Sequence, residues 1–177
     1  HTLVQGQPMG HDKDGLFRLQ LHWLILRHFE KKARLAPLGI KCLSLVFIDK
    51  VANYRSFDDE GNPSLGKFGV WFEEAFHKYA NQPQYRNLIP HAVQDVHDGY
   101  FSEDRRGKGT QAKTVWVDST GAAARDDSTY QLIMKHKERL LDKDVPLQFI
   151  FSHSALREGW DNPNVFQICA LRENAMS

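Results

Sequence analysis

Apolar residues recur along this chain in two rhythms. Over residues 16–33 they fall at helical spacing. Leu16, Leu19, Trp23 and Leu26 make one stripe, widened by Phe17, Leu21 and Leu24, and this period predicts an amphipathic helix. Arg27, Lys31, Lys32 and Arg34 crowd its end, where positive charge favours the helix dipole, and Pro37 and Gly39 stop it. Runs of this kind usually face water. Residues 40–49, IKCLSLVFID, are almost continuously apolar. That is the pattern of a strand buried on both faces of a parallel sheet. Residues 56–65 read as a loop around Gly61 and Pro63. A second helix is expected over residues 68–80, with Trp71, Phe72, Ala75, Phe76 and Tyr79 forming a core-packing stripe rather than a base-stacking platform. An irregular connection follows over residues 81–90.

Residues 91–100, HAVQDVHDGY, predict a short strand ending near His97 and then a turn. Residues 101–113 read as a charged loop with Arg105, Arg106, Lys108 and Lys113 near Gly107 and Gly109. Residues 114–117 form a short strand, residues 118–121 a turn, and residues 130–141 a helix capped by Asp126, Asp127 or Ser128. Two apolar runs, 147–151 and 165–171, then flank Ser152-His153-Ser154, a compact segment at 155–158, and a polar loop from Gly159 to Pro163. Alternating strands and helices argue for an α/β layered fold. In open parallel sheets ligands sit at the carboxyl ends of the strands, where Ser152, His153, Ser154 and Asp161 are expected. Residues 1–15 are glycine-rich with no apolar period and read as a flexible lead-in, and residues 174–177 as a tail.

Composition narrows the chemistry. The chain has 177 residues, 41% apolar and 25% charged, which suits one soluble domain. A net charge of +1 gives no overall pull toward nucleic acid, so any such contact is a local patch. Cys42 and Cys169 lie inside apolar runs and read as buried thiols of a reducing compartment. No run approaches a membrane span, and no secretory leader is visible. The nine histidines are scattered, without H-E-x-x-H or C-x-x-C, which excludes a zinc site of those kinds. The run from Gly107 to Thr110 lacks the spacing of a phosphate-binding loop. Ser152 and His153 are neighbours on a strand and point to opposite faces, so they are poorly placed as a nucleophile pair.

Asp161 follows Gly159, which lets the backbone turn, and precedes Pro163, which stiffens the exit. A carboxylate fixed there accepts hydrogen bonds from ribose hydroxyls or pairs with an arginine; equally, it is a turn aspartate bonded to its own backbone. Asp49 and Arg55 have the same two readings, site edge or turn residue and surface charge.

Residues 154–169, SALREGWDNPNVFQIC, resemble motif V of the ATP-dependent subunit of type III restriction endonucleases, within the superfamily-two helicases and translocases. Gly159, Asp161, Pro163, Asn164 and Val165 keep the helicase pattern Gly-x-Asp-x-Pro-Asn-Val. Residues 47–55, FIDKVANYR, resemble the motif IV region, and His97 to Tyr100 looks like a variant of a His-Gly turn with Asp98 inserted. His153-Ser154 stand where many helicases have Thr-Asp.

The resemblance covers about residues 16–173. It implies a RecA-like, three-layer α/β domain of the P-loop NTPase type with a mainly parallel sheet. This would be the helicase C-terminal domain without its last motif, in an excised piece of a longer protein. It places Glu158, Gly159 and Asp161 at an ATP cleft, and Asp49, Lys50, Tyr54 and Arg55 at the motif IV edge. Ser152, His153, Ser154, His97 and Gly99, with Arg105, Arg106 and Lys108, would meet a nucleic-acid backbone. No Walker A loop, Asp-Glu-x-His box or arginine-rich motif VI is present. The chain is therefore expected to hold no catalytic residue and to hydrolyse no ATP alone. ATP and Mg2+ would act in the parent, an ATP-dependent site-specific deoxyribonuclease of the prokaryotic cytoplasm. The implied partners are the first RecA-like domain and the nuclease domain of the same parent, a modification methyltransferase subunit and double-stranded DNA, with no membrane. Two other readings stand beside it: a superfamily-two helicase outside restriction, and a non-enzymatic nucleic-acid-binding module using the 105–113 loop and the 152–154 edge.

Overall fold

The chain runs through α1 (Gly10–Leu35), β1 (Leu43–Ile48), β2 (Arg55–Phe57), β3 (Pro63–Leu65), α2 (Lys67–Ala80), the turn α3 (Val93–Val96), β4 (His97–Tyr100), β5 (Ser102–Arg106), β6 (Lys113–Val117), the turn α4 (Lys137–Leu140), β7 (Phe149–Ser152) and β8 (Val165–Leu171). This computed structural model describes residues 10–106, 113–117, 137–153 and 163–172. Four strands form one sheet in the order β4-β7-β1-β8, and every pairing is parallel. Two antiparallel pairs, β2-β3 and β5-β6, stand beside it.

The sheet is apolar on both faces because both are covered. On one face Phe17, Leu21, Ile25 and Phe29 of α1 and Phe68, Phe72 and Phe76 of α2 pack on Val46, Ile48, Phe149, Phe151 and Leu171. On the other, Leu43, Leu45, Tyr100 and Ile150 meet Leu140 and Leu147. A strand between two such layers has no polar face to alternate with, which is why β1 reads as an unbroken apolar run. The layered, parallel α/β architecture agrees with a RecA-like domain, and the aromatic stripe of α2 is core, as its spacing predicts.

Several expectations need correction. α1 begins at Gly10. The lead-in therefore does not extend to residue 15, and Lys67 ties the first turns to α2 through Asp14 at 3.1 Å. The buried face of α1 is Phe17, Leu21, Leu24, Ile25, His28 and Phe29, whereas Leu16, Leu19 and Trp23 are exposed. Both stripes have helical spacing, and the pattern alone does not choose between them; a buried histidine hides the true one. Residues 55–65 form a hairpin closed by Asp58, whose Oδ1 accepts the Glu60 and Asn62 amides. β4 begins, rather than ends, at His97, because Val93–Val96 is a helical turn. Of the helix expected over residues 130–141 only the end from Lys137 lies within the described residues.

A buried polar chain fixes α1 on the sheet. Gln167 Nε2 donates to Ser44 Oγ (3.2 Å), the Ser44 hydroxyl donates to His28 Nδ1 (2.8 Å), and His28 Nε2 donates to Gln148 Oε1 (3.1 Å). The chain links α1, β1, β8 and the residue before β7 through a neutral imidazole. Burial pushes His28 down to about 3, against the Gln148 hydrogen bond, which acts the other way. At the same end of β1, buried Lys41 donates to the carbonyls of Leu140 (2.6 Å), Val145 (2.6 Å) and Asp142 (3.2 Å), closing the turn after α4.

The two glycines flanking this architecture predict opposite signs. A Cβ at Gly66, the residue before α2, would lie 2.3 Å from Ala52 O and 2.5 Å from Asn53 O, both main-chain atoms. Gly66→Ala should lower stability to urea by about 1–3 kcal/mol. Gly15 lies inside α1 with open space around it, and Gly15→Ala should raise stability by about 0.5–1 kcal/mol. Equal effects at the two sites would contradict this packing. His28 gives a pH dependence. Its folded pKa lies below the unfolded value of about 6.5, so the unfolded chain binds the extra proton. The contribution is complete above about pH 6.5 and is lost as pH falls toward 3, with a slope up to about 1.4 kcal/mol per pH unit. Urea unfolding between pH 4 and 7 should show that component in the native chain and not in His28→Gln.

Candidate functional site

The pairings Phe47–Ser152, Tyr100–Ser152 and Phe47–Ala170 set the carboxyl ends of all four parallel strands level. Asp49 and Lys50 follow β1 at this edge, and His153 follows β7 beside them. Asp49 and His153 are half-buried and Lys50 is exposed. This is the edge at which an open parallel sheet receives a ligand.

Ser152 is a correction. It is 1% exposed, and its hydroxyl donates to Tyr100 O at 3.1 Å, joining β7 to β4. It therefore offers no group to a nucleic-acid backbone. His97 is also a correction. It is 5% exposed and lies at the amino end of β4, opposite the ligand edge. Both ring nitrogens are engaged: Tyr54 Oη lies 2.8 Å from Nδ1, and Glu73 Oε1 lies 3.0 Å from Nε2. Burial lowers the His97 pKa more than the Glu73 carboxylate raises it. The contact is thus a hydrogen bond from neutral Nε2–H to the carboxylate, not an ion pair, and the Tyr54 phenol donates to Nδ1. Gly99 belongs to β4 and not to a turn. A Cβ there would lie 2.2 Å from the Phe101 ring and 2.9 Å from that of Tyr54. Its glycine serves packing.

Tyr54 and Arg55 leave β1 by different routes. Tyr54 turns back under the sheet, buried, with its ring stacked on Phe151 at 4.2 Å. Burial first, and then the Asp98 carboxylate, raise its pKa, so it remains a phenol. It is a core residue rather than an edge residue. Arg55 pairs with Asp98, whose Oδ1 also accepts the Gly99 amide at 2.7 Å. Together they border an open groove of about 530 Å³ with Glu73, Asp95 and His97. The groove lies at the side of β4, away from the strand ends.

Arg105 and Arg106 lie on β5, in register with Thr114 and Lys113 of β6. Lys108, Ser154, Glu158, Gly159 and Asp161 lie outside the described residues. Among the described residues no group of three or more His, Cys, Asp or Glu side chains is placed to hold a metal ion, and no helix is long and apolar enough to cross a membrane. Cys42 and Cys169 are free thiols, pushed by burial to about 11. Glu73 is the partner that sequence reasoning missed. Its only signal is position: one residue after Phe72 and one turn after Gly69, it borders the buried face of α2.

No family model matches the chain. Three curated proteins do. The Res subunit of the type III restriction-modification enzyme EcoPI, from Escherichia phage P1, is 38% identical over 162 residues, covering 85% of this chain. The EcoP15I Res subunit of Escherichia coli is 36% identical over 162 residues, again 85% of the chain. The StyLTI Res subunit of Salmonella typhimurium is 37% identical over 161 residues, 76% of the chain. The chain spans only about 15% of the length of these relatives. With its parallel α/β sheet and 36–38% identity to these relatives, the chain belongs to the Res-subunit family of type III restriction-modification enzymes, as a stretch of the helicase-like region.

Proposed function

We propose that this chain is the second RecA-like domain of an ATP-driven DNA translocase, the Res-like subunit of a type III restriction enzyme in a prokaryotic cytoplasm. The observation that carries this reading is 36–38% identity to Res subunits over 85% of the chain. The level carboxyl ends of the sheet support it, because they put Asp49 and His153 where a parallel sheet meets its ligand. In this proposal Glu158, Gly159 and Asp161 line half of an ATP cleft, with Asp161 on the ribose side. Mg2+ and the phosphates are held by the first RecA-like domain of the same polypeptide, which supplies the chemistry this half lacks. The chain itself is inactive toward ATP.

The burial of Ser152 and His97 shifts the proposed DNA-backbone role to His153 after β7 and to Arg105 and Arg106 of β5, with Ser154 and Lys108 their neighbours in sequence. Cations there would bind phosphate without reading sequence. Site recognition would then fall to a methyltransferase partner, and cleavage to a nuclease domain elsewhere in the parent.

The test is ATP hydrolysis by the full-length protein with its modification partner, with and without double-stranded DNA. DNA-stimulated turnover is expected, and Asp161→Ala should lower it at least about tenfold, equivalent to about 1.4 kcal/mol of barrier. A folded full-length protein without turnover would sink the motor and favour the nucleic-acid-binding module.

A further inference from the structure

The amino ends of the parallel strands, opposite the motif edge, gather positive charge. Lys31, Lys32 and Arg34 come from the end of α1, Lys41 from the approach to β1, and Lys143 from the turn after α4. Lys31 reaches the amino end of β8, donating to Phe166 O at 3.0 Å. Buried Lys41 reaches the segment that enters β7, through the carbonyls of Leu140, Asp142 and Val145. Lys143 Nζ comes up to Gly39, 3.6 Å from where a Cβ would stand. The cations thus span the ends of three adjacent strands, β8, β1 and β7, a row about 10 Å wide at the usual strand spacing. Complementing the α1 dipole does not account for the row. Cations that serve a dipole belong to the helix's own last turn, whereas Lys41 and Lys143 belong to other elements, and Lys32 is half-buried. Burial lowers the Lys32 pKa, the Cys42 thiol acts the other way, and the Lys143 ammonium lowers it further. Burial also holds Lys41 down at about 8, and Lys32 adds to this against Asp142. Like charges therefore lie close enough to repel. Among the described residues no carboxylate forms an ion pair with any of the five, and the turn's own Asp142 and Asp144 are exposed.

We propose that this row of cations binds the backbone phosphates of duplex DNA, at a place separate from the motif edge, with Lys32, Arg34 and Lys143 as its contacts and Lys31 and Lys41 holding the strand ends beneath them. The choice of DNA among polyanions rests on the motor reading above. Four of the five cations are lysines. A lysine ammonium is a point charge that suits phosphate, whereas planar carboxylates are better matched by the arginine fork. Duplex DNA carries one charge per about 1.7 Å of axis, so a row of this width meets several phosphates and releases their counterions. Binding also relieves the repulsion between Lys32 and Lys143, because each gains an anion in place of a like charge. The contact reads no base and adds position only. β1 has six residues, so the row and the motif edge lie about 20 Å apart. They would hold different segments of one duplex.

The experiment measures binding of full-length protein, without nucleotide or modification partner, to a fluorescein-labelled duplex across a salt series. Arg34→Glu with Lys143→Glu changes two exposed residues that make no hydrogen bond among the described residues. It should weaken binding at least about tenfold and lower the slope of log affinity against log salt by about two. Lys78→Glu with Arg86→Glu, the same charge change at exposed positions on and after α2, should stay within about twofold of the native protein. Arg34→Lys with Lys143→Arg keeps the charge and should bind like the native protein. If the reversed pair does not fold, Arg34→Gln with Lys143→Gln should still lower the slope. Equal losses in the row and the control pair would overturn the proposal, as general attraction to net charge. So would unchanged DNA affinity in the row variants, including the case in which they lose association with the modification subunit, which means an acidic protein surface as the partner. The motor reading fails separately: DNA binding that depends on the row in a protein without ATP turnover keeps this site and removes the motor, and DNA-stimulated turnover with row-independent binding does the reverse.

Discussion

The hydrogen bond from Tyr54 to His97 holds the exit of β1, the edge strand β4 and α2 in one arrangement. The Tyr54 ring lies flat on Phe151 and passes beneath Gly99, so its hydroxyl reaches His97 Nδ1 at 2.8 Å. His97 carries the link to Glu73 of α2. The main chain repeats the connection, because Tyr54 O accepts the Gly66 amide at 2.8 Å where α2 begins. A side chain at residue 99 would push the tyrosine off Phe151, and one at residue 66 would push the loop off α2. The loop that carries Asp49 and Lys50 past the strand end is thus anchored from behind by Tyr54, His97 and the Gly66 amide.

Both buried histidines among the described residues work as neutral connectors. In His28 and His97 alike, Nδ1 accepts from a hydroxyl and Nε2 donates to a side-chain carbonyl or carboxylate. Burial lowers both pKa values. A neutral imidazole gives direction at both ends without the desolvation cost of a buried charge. His28 also packs against Phe149, ring centroids 4.1 Å apart, so one residue serves the apolar core and the polar chain together. The sheet can therefore be buried on both faces and still hold α1 in one register.

β8 was legible in the sequence to the residue and β1 nearly so, because a parallel strand between two layers is a run of apolar residues bounded by polar breaks. α2 was legible through its aromatic period. The face of α1 was legible only in part: Phe17, Leu21 and Leu24 are buried, but Leu16, Leu19 and Trp23 are as apolar and face outward, and the buried stripe contains His28. β4 was misread because Val93 and Val96 look like strand residues while forming a helical turn that feeds the strand at His97. Ser152 and His97 look like ligand groups because they are polar and near motif positions. Their hydrogen bonds turn inward, to Tyr100 O and to Tyr54 and Glu73, through partners distant in sequence. The edge formed by Asp49, Lys50 and His153 needed only the rule that parallel strands end together.

The two edges of the sheet are finished differently, and the difference has a physical logic. β4 is short and carries Asp98 paired to Arg55, so its side of the sheet is polar and discourages pairing. β8 is the longest of the four strands and has no charge along it. The exposed Trp23 beside it is partly covered by the Arg27 guanidinium, 5.2 Å from the ring centroid, and Lys31 takes the carbonyl of Phe166. These two cations shield the amino end of the edge only. Residues 167–171 keep the composition of an interior strand at an exterior position.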